Sequence, residues 1–143
     1  MKQHDLLPSV LAALAGSAVH EIVVVEGAHE LQAPGVRVVR CDDWATGPGA
    51  SLRCGLAALG DSVSRAVVVL ADGPALDARA VDRLLAHDAP VAAASYDGTR
   101  SHPVALDRSV WRDVPDEGGR ALEAALVDCS DLRPPGDVDL RPR

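Results

Sequence analysis

Ala66-Val67-Val68-Val69-Leu70-Ala71-Asp72-Gly73-Pro74 is an apolar run that ends in a carboxylate and then a tight turn. Five apolar residues from Ala66 to Leu70, bounded by charge and by Gly-Pro, predict a strand buried on both faces. A carboxylate just past the end of such a strand lies where open α/β sheets bind ligands. Asp72 is therefore a candidate metal ligand. A carboxylate in that place can bind Mg²⁺, which in turn would bridge nucleotide phosphates. The same residues can equally form an Asx-turn, a common way to end a strand.

Outward from this run, strand and helix patterns alternate. Leu6, Leu7, Val10, Leu11 and Leu14 fall at helical spacing, with Asp5 as N-cap and Gly16 at the end. Ile22 to Val25 and Val36 to Val39 read as short strands. Ser51 to Leu59 reads as a helix with Leu52, Leu56 and Leu59 on one face. Asp77 can cap a helix that turns Val81, Leu84 and Leu85 to the core. Val91 to Ser95 is a further strand, Tyr96-Asp97-Gly98-Thr99 a turn, and His102 to Leu106 another strand. Short helices are expected over Ser109 to Val114 and Gly119 to Val127. The alternation over the first 95 residues predicts βαβ units and a mostly parallel sheet.

The chain has 143 residues, which suits one domain spanning 1–143. It is 48% hydrophobic, with no Phe, and Trp44, Tyr96 and Trp111 are its aromatics. Its core must then be Val, Leu and Ala, as strands covered on both faces by helices require. A net charge of -7 disfavours nonspecific binding to nucleic acid or to anionic membrane. It does not oppose a nucleotide carried by a divalent metal. Cys41, Cys54 and Cys129 are odd in number and form no CxxC pair, so reduced thiols in a cytoplasmic protein are expected, without structural zinc. No signal peptide or membrane span is visible.

Three further groups could carry chemistry. Asp137-Val138-Asp139, if extended, puts two carboxylates on one face. With Asp72 they could hold one or two divalent ions, or they are a solvated edge. Gly47-Pro48-Gly49-Ala50-Ser51 precedes a helix, whose N-terminal donors suit an anion. Ser51 can equally be the N-cap, and Arg53 in the first turn can meet phosphate or solvent. His102, before Pro103, could contact substrate or move a proton, or sit exposed at a strand start. No Ser or Cys nucleophile stands in a nucleophile-elbow or base-paired context. Arg120 could reach a ligand or an acidic neighbour, and His4, His20, His29 and His87 have no zinc-like spacing.

These pieces, in their order, resemble the nucleotidyltransferase family that includes molybdenum cofactor cytidylyltransferase and the MobA-like transferases. Val23-Val24-Val25 resembles the family's second strand. Asp43-Trp44-Ala45-Thr46-Gly47 through Ser51-Leu52-Arg53, with Gly55 and Leu56, resembles its "DWxxGxxxSLRxGL" loop. Leu70-Ala71-Asp72-Gly73-Pro74 resembles "LADQP", with Gly73 in place of Gln. Tyr96 to Val104 resembles "YxGxxGHPV", with Ser101 for the second Gly. Asp116-Glu117-Gly118-Gly119-Arg120 resembles "GDxGAR", shifted in detail and without its leading Gly, and Asp137-Val138-Asp139 resembles the start of "DxDTPED", whose Thr and final acids are replaced here by Leu140-Arg141-Pro142.

The resemblance implies a Rossmann-like three-layer α/β sandwich. It also implies Mg²⁺-dependent transfer of CMP or GMP, from CTP or GTP, to a phosphorylated cofactor precursor such as molybdopterin. Asp72, Asp137 and Asp139 would hold the metal, while Gly47, Ser51, Arg53 and His102 would shape the substrate side. Family members begin with a strand and a loop like "LAAGxSxRMGxxK" that cradles the triphosphate. Here Asp5-Leu6-Leu7-Pro8 resembles the helix after that loop, so a domain lacking the family's first strand and its glycine-rich segment is expected. A homodimer or a separate N-terminal segment could fill the gap. A noncatalytic interaction or regulatory domain derived from the same fold is the alternative. A dinucleotide-binding dehydrogenase fits poorly, because no GxGxxG follows a first strand.

Overall fold

Runs of β-branched and small apolar residues alternate with amphipathic helices, and the chain resolves this pattern by layering helices on both faces of a sheet. The computed structural model describes residues 7–26, 36–71, 73 and 75–136. In chain order the elements are α1 (Leu7–Ala15), β1 (Val23–Glu26), β2 (Arg37–Arg40), α2 (Pro48–Ala57), β3 (Arg65–Val68), α3 (Ala78–Ala86), β4 (Val91–Tyr96), β5 (Thr99–Asp107) and β6 (Ala125–Asp128). Short 3₁₀ turns cover Asp42–Thr46, Arg108–Asp113 and Gly119–Ala121. Among the described residues no helix is long and apolar enough to cross a membrane.

The strands form two sheets. β1 pairs in parallel with β2, and the other four run in the order β3-β5-β4-β6. β4 and β6 are parallel, while β5 is antiparallel to both β3 and β4. The architecture is thus the expected α/β layering, with a mixed sheet where β5 enters. Its turn follows from Asp97 at φ 52° and Gly98 at φ 81°, the paired positive angles of a two-residue hairpin.

Side-chain alternation sorts the core into two faces. Ala66, Val91, Ala93, Val104 and Leu106 pack with Leu56 of α2 and with Trp111. Ala92, Ala94, Tyr96 and Ala105 pack with Ala80 and Leu84 of α3. The alanines let α3 lie close on the sheet, and burial of Leu84 or Leu106 contributes about 1.5–3 kcal/mol each. Trp111 donates its indole N–H to the Leu106 carbonyl at 2.9 Å, which satisfies its polar edge inside the core.

Two ends are fixed by specific polar groups. Asp77 caps α3 as predicted, its Oδ1 accepting from the Arg79 N–H at 2.8 Å. The Arg79 side chain on the same carboxylate holds it below the usual carboxylate range. Arg65, at the start of β3, donates to the carbonyls of Leu84 (2.9 Å) and Ala89 (2.8 Å) and to Asp107 (2.5 Å). One mostly buried guanidinium therefore ties β3, the end of α3 and the end of β5 together.

Several expectations need correction. The segment 119–127 is a 3₁₀ turn followed by β6, not a helix. All six residues of β4 are buried, so its second edge needs backbone partners, and pairing of Ala92 to Ser95 with Ala125 to Asp128 outweighs local helix preference. The helix expected from Ser51 begins at Pro48, with Gly47 as N-cap. Proline suits the first helical position because its missing N–H would have had no partner there. Ser51 is therefore not the cap.

The expectation of three reduced thiols also fails. Cys41, just past β2, and Cys54, in α2, form a disulfide with Cα atoms 6.0 Å apart. Contact between α2 and the β1–β2 pair brings them together. Cys129 stays free and fully buried, and burial pushes its thiol above the ordinary range. The bridge closes a loop of sequence separation 13. Reduction, or Cys54→Ala, is expected to lower stability by about 3 kcal/mol, read as a lower urea midpoint. An unchanged midpoint would mean that the bridge does not hold α2 to β2.

Candidate functional site

β3 delivers the chain to the site. Beyond Val68, the Gly73 N–H turns back to the Leu70 carbonyl at 3.3 Å. Asp72, between Leu70 and Gly73 in sequence, lies outside the described residues, as do Asp137 and Asp139. Gly73, next to Asp72, and Gly136, next to Asp137, are described, and they line the same cavity. Leu70, Gly73, His102, Pro135 and Gly136 surround one cavity of about 130 Å³. The Ala75 N–H donates to the Pro135 carbonyl at 3.1 Å, which fastens the late segment to the turn after β3.

Gly73 has a steric reason to be there. A Cβ on it would stand 3.2 Å from the Pro135 Cβ and 3.5 Å from the Gly136 carbonyl. The tail can approach because Gly stands where the resembling motif has Gln. His102 reaches the cavity from β5, and its bond to Pro103 is cis. Tyr96 donates its hydroxyl to the His102 carbonyl at 3.4 Å. Burial pushes the Tyr96 hydroxyl up to about 12, so it stays protonated as a donor.

Gly47, Ser51 and Arg53 are placed elsewhere. They do not line the His102 cavity. Gly47 caps α2 at φ 148°. A Cβ on it would meet the Asp116 carbonyl oxygen at 2.4 Å, and one on Gly49 would meet the Pro115 oxygen at 1.6 Å. The Gly49 N–H already donates to the Asp116 carbonyl at 2.8 Å. Arg53 donates to the Val114 carbonyl and pairs with the Asp116 carboxylate at 2.6 Å. Ser51 faces a different cavity, between β1 and β3.

The coupling of the Gly47–Gly49 turn to Pro115–Asp116 escaped the sequence reading. The residues are separated by more than sixty positions, as the 63-residue separation of Arg53 and Asp116 shows. The two glycines before a helix were the available signal, since their spacing also marks a close backbone approach. Arg100 anchors the next stretch, donating to the carbonyls of Leu122 (2.7 Å) and Gly119 (3.1 Å). Arg120 is exposed. Among the described residues no three His, Cys, Asp or Glu gather to hold a metal. The residues at positions 72, 137 and 139 are all aspartates, the hard-oxygen chemistry Mg²⁺ prefers, and Gly73 and Gly136, which flank the first two in sequence, line one cavity.

Comparison with known proteins adds three findings. The sequence matches the family described as MobA-like NTP transferase domain over residues 1–129. No curated protein matches the chain. Among solved structures, the fold is similar to the Mycobacterium sp. strain JC1 homologue of Mycobacterium tuberculosis Rv0371c, with TM-score 0.75 and 21% identity over 94% of this chain and 76% of that one. It is similar to Mycobacterium tuberculosis Rv0371c in complex with manganese, with TM-score 0.69 and 17% identity over 86% of this chain and 74% of that one. It is also similar to a nucleotidyl transferase from Methanothermobacter, Mth528, with TM-score 0.67 and 24% identity over 79% of this chain and 60% of that one.

The turn before α2 gives a direct test. Gly49→Ala is expected to destabilise the chain by about 2 kcal/mol or more, because the methyl group overlaps backbone rather than a side chain that could rotate away. Chemical denaturation checks this. A change below about 0.5 kcal/mol would show that the 47–49 turn does not pack on Pro115.

Proposed function

The chain belongs to the MobA-like NTP transferase domain family, and on that premise we propose that it moves CMP or GMP from CTP or GTP to a phosphorylated cofactor precursor such as molybdopterin. The observation that carries this reading is the convergence of the β3 turn, His102 and Gly136 on one cavity. Ligands of open α/β sheets bind beyond the carboxyl ends of strands, and that is where this convergence lies.

Asp72, Asp137 and Asp139 are the residues that would hold Mg²⁺. When bound, the ion would neutralise the phosphate charge that develops during transfer. The manganese of the Rv0371c complex supports a divalent ion at such a fold. The acceptor's phosphate oxygen attacks the α-phosphorus and pyrophosphate leaves, so the protein's task is positioning and charge placement. His102, which lines this cavity from β5, would contact the substrate. Arg53 already has Asp116 as its partner, so its part is to hold the Gly47–Ser51 turn rather than to supply an unpaired positive charge.

A second reading, a noncatalytic interaction module, is favoured by one observation, the large apolar cavity between β1 and β3. Calorimetry separates the two. The transferase reading predicts saturable, Mg²⁺-dependent binding of CTP or GTP, weakened about tenfold or more by Asp72→Asn, in line with loss of about 1.4 kcal/mol or more. Absence of binding to folded protein at millimolar nucleotide would contradict it and favour the interaction module.

A further inference from the structure

Between β1 and β3 lies a cavity of about 870 Å³. Helices wall it on both faces, with Leu7, Val10 and Leu14 from α1 and Leu52, Gly55 and Leu56 from α2. Alternation along β3 puts these helices on opposite sides. Val67 packs with Val10 and Leu14, whereas Ala66 and Val68 pack with Leu52 and Leu56. β1 repeats the division. Val24 packs with Leu7, and the Val25 side chain rests against Gly55, where a Cβ would stand 2.4 Å from it.

Among the described residues, the strand edges that face the cavity carry backbone groups with no strand partner. The Ser64 carbonyl accepts from the Arg108 N–H at 2.8 Å. With the register of β3 on β5, this assigns Ala66 and Val68 to that ladder and turns the N–H and C=O of Arg65 and Val67 away from it. On β1, the Glu26 carbonyl accepts from the Cys41 N–H at 2.8 Å. Val24 and Glu26 therefore serve the ladder to β2, and Val23 and Val25 face away. Among the described residues neither β1 nor β3 has a second strand neighbour.

Volume, wall chemistry and backbone demand together define the occupant. A small apolar molecule would fill the space and leave both rows of donors and acceptors without partners. An extended peptide satisfies both at once. One residue of a packed strand takes about 160 Å³, from strand spacing, rise and layer thickness, so the cavity holds about five. That length matches the four-residue strands β1 and β3. Aliphatic side chains line both faces, so the occupant must be apolar on both faces, as a central strand is.

We infer that the cavity between β1 and β3 is a slot for one extended aliphatic peptide segment of about five residues, which inserts as a strand and joins the two sheets into one. The inference stands on the slot alone and does not depend on nucleotide chemistry. The test adds to the full chain a synthetic peptide of Val, Ile and Ala flanked by lysines, and follows amide hydrogen exchange. A second peptide, with a central proline and the same charge, is the control.

The slot predicts saturable one-to-one binding and exchange slowed about tenfold or more at Val23, Val25, Arg65 and Val67, with no effect of the proline peptide. Equal protection by both peptides, protection confined to β6, a complex holding two copies of the chain, or no protection would each overturn it. Nucleotide binding does not enter this readout, so either proposal can fail without the other.

Discussion

The backbone of β3 is the constraint on which the structure turns. One edge is satisfied by β5, and Arg65 clamps its start to α3 and to Asp107. The other edge faces an apolar slot. Everything at the far end of β3 inherits its position from this strand. The turn after it, the late segment fastened at Ala75, and the cavity beside His102 all hang from a strand held firmly on one side only. Filling the slot would add hydrogen bonds to the strand that carries the candidate site, which links completion of the sheet to rigidity of that site.

The second constraint is steric and lies before α2. Gly47 and Gly49 allow the Pro115–Asp116 backbone to press against the start of the helix, and Arg53 closes the contact. The disulfide holds the same helix to the end of β2. α2 is thereby fixed at both its flanks, although it packs against a gap in the sheet. Such fastening adds to the burial of Leu56 in holding a helix that also borders so large a cavity.

Much of the layered fold was legible. The Asp77 cap and the Asp97-Gly98 hairpin are local signals that appear where the residues place them, whereas the strand read over Ala66 to Leu70 forms as β3 over Arg65–Val68 and is only half-buried, because it borders the large cavity. What was not legible is non-local. Residues 125–128 carry helix-forming composition, and only the unpaired edge of β4 makes them a strand. Cys41 and Cys54 show no pairing pattern in sequence, because α2 and β2 meet only in the fold. The site was legible in part. Gly73 and His102, which lie in two of the ordered motifs, line one cavity with Gly136 beside them. Asp72, Asp137 and Asp139 lie outside the described residues, and the Gly47–Arg53 turn has protein partners that no local reading of its residues supplied.

The proposed site for a divalent ion and nucleotide lies beyond the end of β3, beside His102 and Gly136. Paramagnetic broadening of amide resonances by Mn²⁺ with CTP or GTP tests that placement most directly. The account predicts selective broadening at Gly73, Ser101, His102 and Gly136, with His87 and Trp44 unaffected. Broadening centred on other residues, or none at saturating nucleotide, would contradict it.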